Sequence, residues 1–130
     1  IYYFFSGEEV GRIGSKFVEA TKPKHIENIK RVISFDRRGY NDIITHQLSR
    51  RTCSDEFGTK LANALNVHGF EYEISNDGGI TDSYTFKDMI TNCTNISVGY
   101  FEEHSVEEMQ NIVFLEKLAK ACVDIKWELL

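Results

Sequence analysis

Residues 1–15 read IYYFFSGEEVGRIGS, and the fold turns on how this stretch is read. Five apolar or aromatic residues in succession suit a strand buried on both faces. The run stops at Ser6-Gly7, and two adjacent carboxylates follow, Glu8 and Glu9. Beyond them Val10, Ile13, Phe17 and Val18 recur at helical spacing. The expectation is a central strand over residues 1–6 and a helix from Glu9 to about Ala20. The carboxylate pair then sits where strand hands over to helix, which is where open α/β sheets build sites. Gly11 and Gly14 weaken that helix but allow it close to the sheet. Two readings of the pair stay open. It is an acidic first turn favoured by the helix dipole, or it is a place where a cation meets one carboxylate and leaves the other free as a base.

The same pattern recurs downstream. RVISFD (31–36) is an apolar strand that ends on Asp36 and runs into Arg37-Arg38-Gly39. Residues 41–48 carry another β-type run. Ser54 to Asn66 has an N-cap serine, acids in its first turn, and Phe57, Leu61, Ala64 and Leu65 on one face. Phe70 to Ile74 alternates as a strand, Ser75 to Asp82 is a glycine-rich loop, and Ser83 to Ile90 is a short helix. NISVG (95–99) is the last buried strand. It leads through Tyr100 to His104, and a core-facing helix runs from about Val106 to Leu130, with a break near Met109–Asn111. Strands alternating with helices predict an α/β fold of three layers, a mixed and mostly parallel sheet flanked by helices. Residues 1–130 form one domain in this reading.

The composition narrows the function. A net charge of −5 argues against a nucleic-acid partner, which would demand a basic face. No apolar run is long enough for a membrane span. Cys53, Cys93 and Cys122 are widely spaced and odd in number, which suits reduced thiols and a cytoplasmic setting rather than a disulfide framework. The Asn-x-Ser/Thr matches at Asn92 and Asn95 read as chance. His25 reads as solvated and His46 as structural or exposed.

Glu9, Asp36 and His104 thus stand as candidate metal ligands, with Glu8 beside them. Carboxylate and imidazole donors suit a catalytic, open zinc site better than a thiolate-rich structural one. At this point FSGEEVGRIGS, ISFDRRGYND, GGITDSYTF and NISVGYFEEHS, in this order, resemble the co-catalytic zinc exopeptidases of the aminopeptidase type (M28-like, with M20 and M42 relatives). Only 67 residues separate Asp36 from His104, too few for the inserted domain usual in M20 enzymes, so the layout resembles the compact M28 type.

The resemblance implies a role for each position. Glu8 would be the general base, Glu9 and His104 would bind one zinc, and Asp36 the other. Asp82 would support a ligand or the substrate amine, and Tyr100 would contact substrate or oxyanion. Two zinc ions would activate water to hydrolyse the N-terminal peptide bond of a peptide or amino-acyl substrate. The family pattern also contains an upstream histidine and a bridging aspartate, and neither matches here. The chain is therefore expected to be the C-terminal portion of a zinc peptidase catalytic domain. The N-terminal part of the sheet would be missing, one strand edge would be unpaired, and zinc binding and activity alone would be poor. Alternatives on the same fold are a glutaminyl cyclase, a deacylase, or a non-catalytic binding module.

Overall fold

Ser54 opens the best-defined helix. Its Oγ accepts the N–H of Phe57 at 3.2 Å, and Asp55 and Glu56 complement the helix dipole in the first turn. In the computed structural model, which describes residues 1–130, this helix spans Asp55–Asn66, close to the sequence expectation. It is the second of four. In chain order the elements are α1 (Ile13–Thr21), β1 (Arg31–Arg37), β2 (Asp42–Ile44), β3 (His46–Gln47), β4 (Arg50–Arg51), α2 (Asp55–Asn66), β5 (Glu73–Ser75), α3 (Asp82–Thr85), β6 (Asn92–Ser97), β7 (Tyr100–Phe101), β8 (Met109–Gln110) and α4 (Ile112–Asp124). Short 3₁₀ turns lie at Lys24–Ile26 and Trp127–Leu129.

The main sheet has the order β1-β6-β2-β5. β1 runs parallel to β6 and β2 parallel to β5, while β6 and β2 are antiparallel. Helices flank the sheet as expected. On one face Ile33, Ile43, Ile96 and Val98 pack against Leu61 and Leu65 of α2 and Leu118, Ala121 and Cys122 of α4. Burying each of these aliphatic side chains contributes about 1.5–3 kcal/mol. On the other face Val32 and Cys93 meet Phe5, Val18, Ile26, Phe86 and Ile90. All three thiols are free and buried.

The N-terminal expectation is corrected. Residues 1–6 form no strand. Phe4 is 98% exposed, and only Phe5 is tucked in, against Phe86. An apolar run becomes a strand only where a neighbouring edge takes its backbone bonds, and this segment is bonded to no strand. β1 carries one unpaired edge. The first helix also starts later than expected, at Ile13, because Glu8 to Gly11 form a turn instead. The Glu8 carbonyl accepts the N–H groups of Gly11 at 3.0 Å and Arg12 at 2.9 Å. Gly14 does make a close approach, but to Ser6 rather than to the sheet. A Cβ there would lie 3.0 Å from the Ser6 nitrogen.

Four further boundaries move. β5 holds Glu73–Ser75 where a strand was expected over 70–74. β6 begins at Asn92, three residues before the strand expected at 95–99, and ends at Ser97. α3 holds only Asp82–Thr85 of the expected 83–90 helix. The C-terminal helix starts at Ile112, capped by the Asn111 side chain, and ends at Asp124. The preceding residues pair as the β7–β8 hairpin instead, so β6 is followed by two more short strands.

Candidate functional site

Three segments bring the candidate side chains to one rim. The first is the Glu8–Gly11 turn. Gly7 at φ +71° reverses the chain before it, and Arg12 sits in the left-handed region after it. The turn is fastened to α3: Arg12 Nε donates to Thr85 Oγ1 at 3.1 Å, and Ser15 and Thr85 share a buried hydroxyl bond at 3.0 Å. The Arg12 guanidinium also lies over the Tyr84 ring at 5.4 Å.

The second segment is the end of β1. The β1–β6 register pairs Ser34 with Asn95 and Arg37 with Ser97, so β1 carries one extra residue there. Such a bulge locally breaks the ladder and re-aims side chains, often beside sites. At this bulge Asn95, 3% exposed, turns its amide onto the backbone of Asp36. Its Oδ1 accepts the Asp36 N–H at 2.9 Å and its Nδ2 donates to the Asp36 carbonyl at 2.8 Å.

The third segment is the hairpin loop between β7 and β8. It carries His104 at φ +62°, its N–H bonded to Glu108 Oε2 at 3.1 Å. Glu9, Asp36, Tyr100 and His104 line one cavity of about 350 Å³, together with Phe35, Glu103 and others. His104 Nδ1 stands 3.9 Å from Glu9 Oε1. The Tyr100 hydroxyl donates a long bond, 3.5 Å, to the Asp36 carbonyl.

Glu8 and Asp82 lie within electrostatic reach of this rim. Burial, then Asp36, Glu9 and Asp82, raise the Glu8 carboxyl above the ordinary range, and Arg12 opposes them. Burial, then Glu9 and Asp82, push Asp36 up to about 6, while His104 pulls the other way. Burial first, and Asp36 second, hold the Tyr100 phenol up to about 12. Asp82 Oδ1 is buried without a hydrogen-bond partner. Glu8, Glu9, Asp36 and Asp82 thus crowd carboxylates together, with Arg12 opposing them at Glu8 and His104 at Asp36.

Asp82 is held there by a polar network beneath the sheet. Gln47, fully buried, accepts the Thr81 N–H at 3.1 Å and donates to Ser83 Oγ at 3.1 Å. Ser34 accepts from Thr81 Oγ1 and from the Ser83 N–H. Sequence reading passed over both Gln47 and Asn95. The available signal was a polar residue at an inward position of an otherwise apolar run. The Asn-x-Ser/Thr matches have a structural use: Asn95 holds Asp36, and Asn92 Oδ1 accepts both the N–H and the Oγ of Ser54.

The donor types at this rim, carboxylate and imidazole, fit a divalent cation. They fit as partial sets. No three His, Cys, Asp or Glu side chains of the chain lie close enough together to hold one ion, so Glu9 with His104 is a pair and Asp36 stands apart.

No family profile matches the chain, and no curated protein matches it. A solved structure does: that of PhTET1-12s, a dodecamer in its crystal asymmetric unit. It superposes with a TM-score of 0.72 at 25% identity over 95% of this chain. The chain spans 40% of the length of that protein's chain. The likeness carries the α/β architecture, a mostly parallel sheet flanked by helices. No helix is long and apolar enough to cross a membrane.

Proposed function

We propose that the chain is the C-terminal portion of a metal-dependent peptidase domain, one that hydrolyses peptide bonds at the substrate N-terminus. The observation that carries this reading is that Glu9, Asp36 and His104, distant in sequence, line one cavity rich in carboxylates. The likeness to PhTET1-12s supports a relation to the TET peptidases of the M42 group, and it does not single out the M28 layout. The share of that chain covered, 40%, supports the fragment reading.

In this proposal Glu9 and His104 would hold one zinc ion and Asp36 the other, each completed by ligands outside these residues. Such ions would lower the pKa of a bound water and balance negative charge on a tetrahedral oxygen. The rest is work for the chain's own groups. Glu8 holds a proton more readily than an ordinary glutamate, which suits a group that accepts one from water and returns it to a leaving amine. Asp82, whose Oδ1 is buried without a partner, would support a ligand or the substrate ammonium from behind the cavity wall. Tyr100 keeps its proton over the working range and can donate to a developing oxyanion.

The test uses the complete protein. Metal content is measured by elemental analysis, and turnover with a panel of aminoacyl-p-nitroanilides. Glu8→Ala is expected to retain metal and to lose at least ~100-fold in kcat. Retained turnover removes Glu8 from the base role. Absence of metal in the folded protein favours a non-catalytic binding module, and turnover confined to cyclisation or deacylation substrates favours those reactions.

A further inference from the structure

We infer that Asn95 is a positioning residue whose side chain sets where the Asp36 carboxylate stands. The inference rests on the reading above only in taking Asp36 as a metal ligand. At the β1 bulge the regular ladder cannot serve Asp36, because one residue too many lies between Ser34 and Arg37. Without Asn95 the backbone N–H of Asp36 would lose its side-chain partner and the C=O would keep only the long Tyr100 bond, at a cost comparable to a lost hydrogen bond each. Asn95 meets both with one planar amide, acceptor to N–H and donor to C=O. Among similar side chains only asparagine does this. Aspartate cannot donate to the carbonyl, leucine offers neither group, and glutamine is one methylene too long for the gap. Asn95 is buried on β6, the central partner of both β1 and β2, so the anchor itself is rigid. The bulge and the amide together decide how far Asp36 reaches past the strand end toward Glu9 and His104.

A purely structural role predicts a different pattern of loss. Thr94, the neighbour on β6, is buried as well; it donates to the Ile44 carbonyl at 2.7 Å and at 3.4 Å to the Asn95 carbonyl, and makes no hydrogen bond to Asp36. Thr94→Val is therefore the control for lost buried hydrogen bonding. In the complete protein, Asn95→Leu, Asn95→Ser and Thr94→Val are compared by cobalt titration followed in the visible spectrum and by amide hydrogen exchange. The Asn95 variants are expected to lose cobalt affinity about tenfold or more, the size usual for groups that orient a ligand. The Asp36 amide is expected to lose protection while the Arg31–Ser34 amides keep theirs. Thr94→Val is expected to melt earlier but bind cobalt as the wild type does. If Asn95→Ser, or a folded Asn95→Leu, binds cobalt within about twofold of wild type, the inference is overturned. An equal loss in Thr94→Val overturns it too. If the wild type takes up no cobalt, the metal reading of the site fails by itself. The exchange arm then decides alone, and a protected Asp36 amide in the Asn95 variants refutes the positioning role.

Discussion

Glu9 Oε1 and His104 Nδ1 stand 3.9 Å apart, although they come from opposite ends of the chain. Both side chains are more than two-thirds exposed, so their mutual attraction is a small term. Their closeness is set by the elements beneath them: the turn clamped to Thr85 and the hairpin loop after β7. Glu9→Ala and His104→Ala are expected to change stability by less than about 0.5 kcal/mol in urea melts. A larger loss would mean that the pair holds the fold and is not free to serve a ligand.

Asp36 gives the metal-free protein a pH signature. Its carboxyl is pushed up to about 6 in the folded state from an ordinary 3.8. The folded chain therefore binds the proton more tightly than the unfolded chain, and this group's contribution falls as pH rises from about 4 to about 6. Above that window the penalty is fully present. Asp36→Asn is expected to stabilise the metal-free chain at pH 7, and to do so by more than at pH 4. Comparing variant with wild type at each pH in urea removes the carboxylates that shift the other way, such as Asp55 and Glu56. A variant advantage that is the same at both pH values would contradict the raised value.

Gln47 is the pin of the loop that carries Asp82. Gln47→Leu keeps the volume but strips partners from the Thr81 N–H and from Ser83 in a site with no exposed area. The expected cost is about 2–4 kcal/mol, measured by urea unfolding. A loss below about 1 kcal/mol would show that water or a rearranged hydroxyl takes over.

Phe4 points the other way in energy. At 98% exposure it supports nothing in the folded chain and, like Val10, Ile13 and Phe17, it leaves apolar area in water. Phe4→Ser is expected to leave the melting temperature unchanged and to reduce self-association, read by sedimentation velocity. A fall in melting temperature of several degrees would mean that the residue packs in solution.

Much of this molecule was legible in the chain. Ser54 and its acidic first turn fix α2, because a cap bonds to its own neighbours and needs no distant partner. The apolar run before Asp36 fixes β1 as well: its adjacent Val32 and Ile33 serve opposite faces of the sheet. The site motifs named Glu9, Asp36, Tyr100 and His104, all of which line one cavity.

Other features had no local signal. IYYFF has the composition of a buried strand, but a strand exists only where another edge accepts its bonds, and here it is bonded to none. The bulge that sets Asp36 depends on how β1 registers against β6, a relation between stretches far apart in sequence. Asn95 and Gln47 look like polar interruptions in apolar runs until their amides are seen spanning from one element to another. Residue types and short-range spacing determined α2, the strand β1 and the chemistry on offer. Only long-range backbone pairing, which no local pattern encodes, decided which edges are filled and how the carboxylates meet.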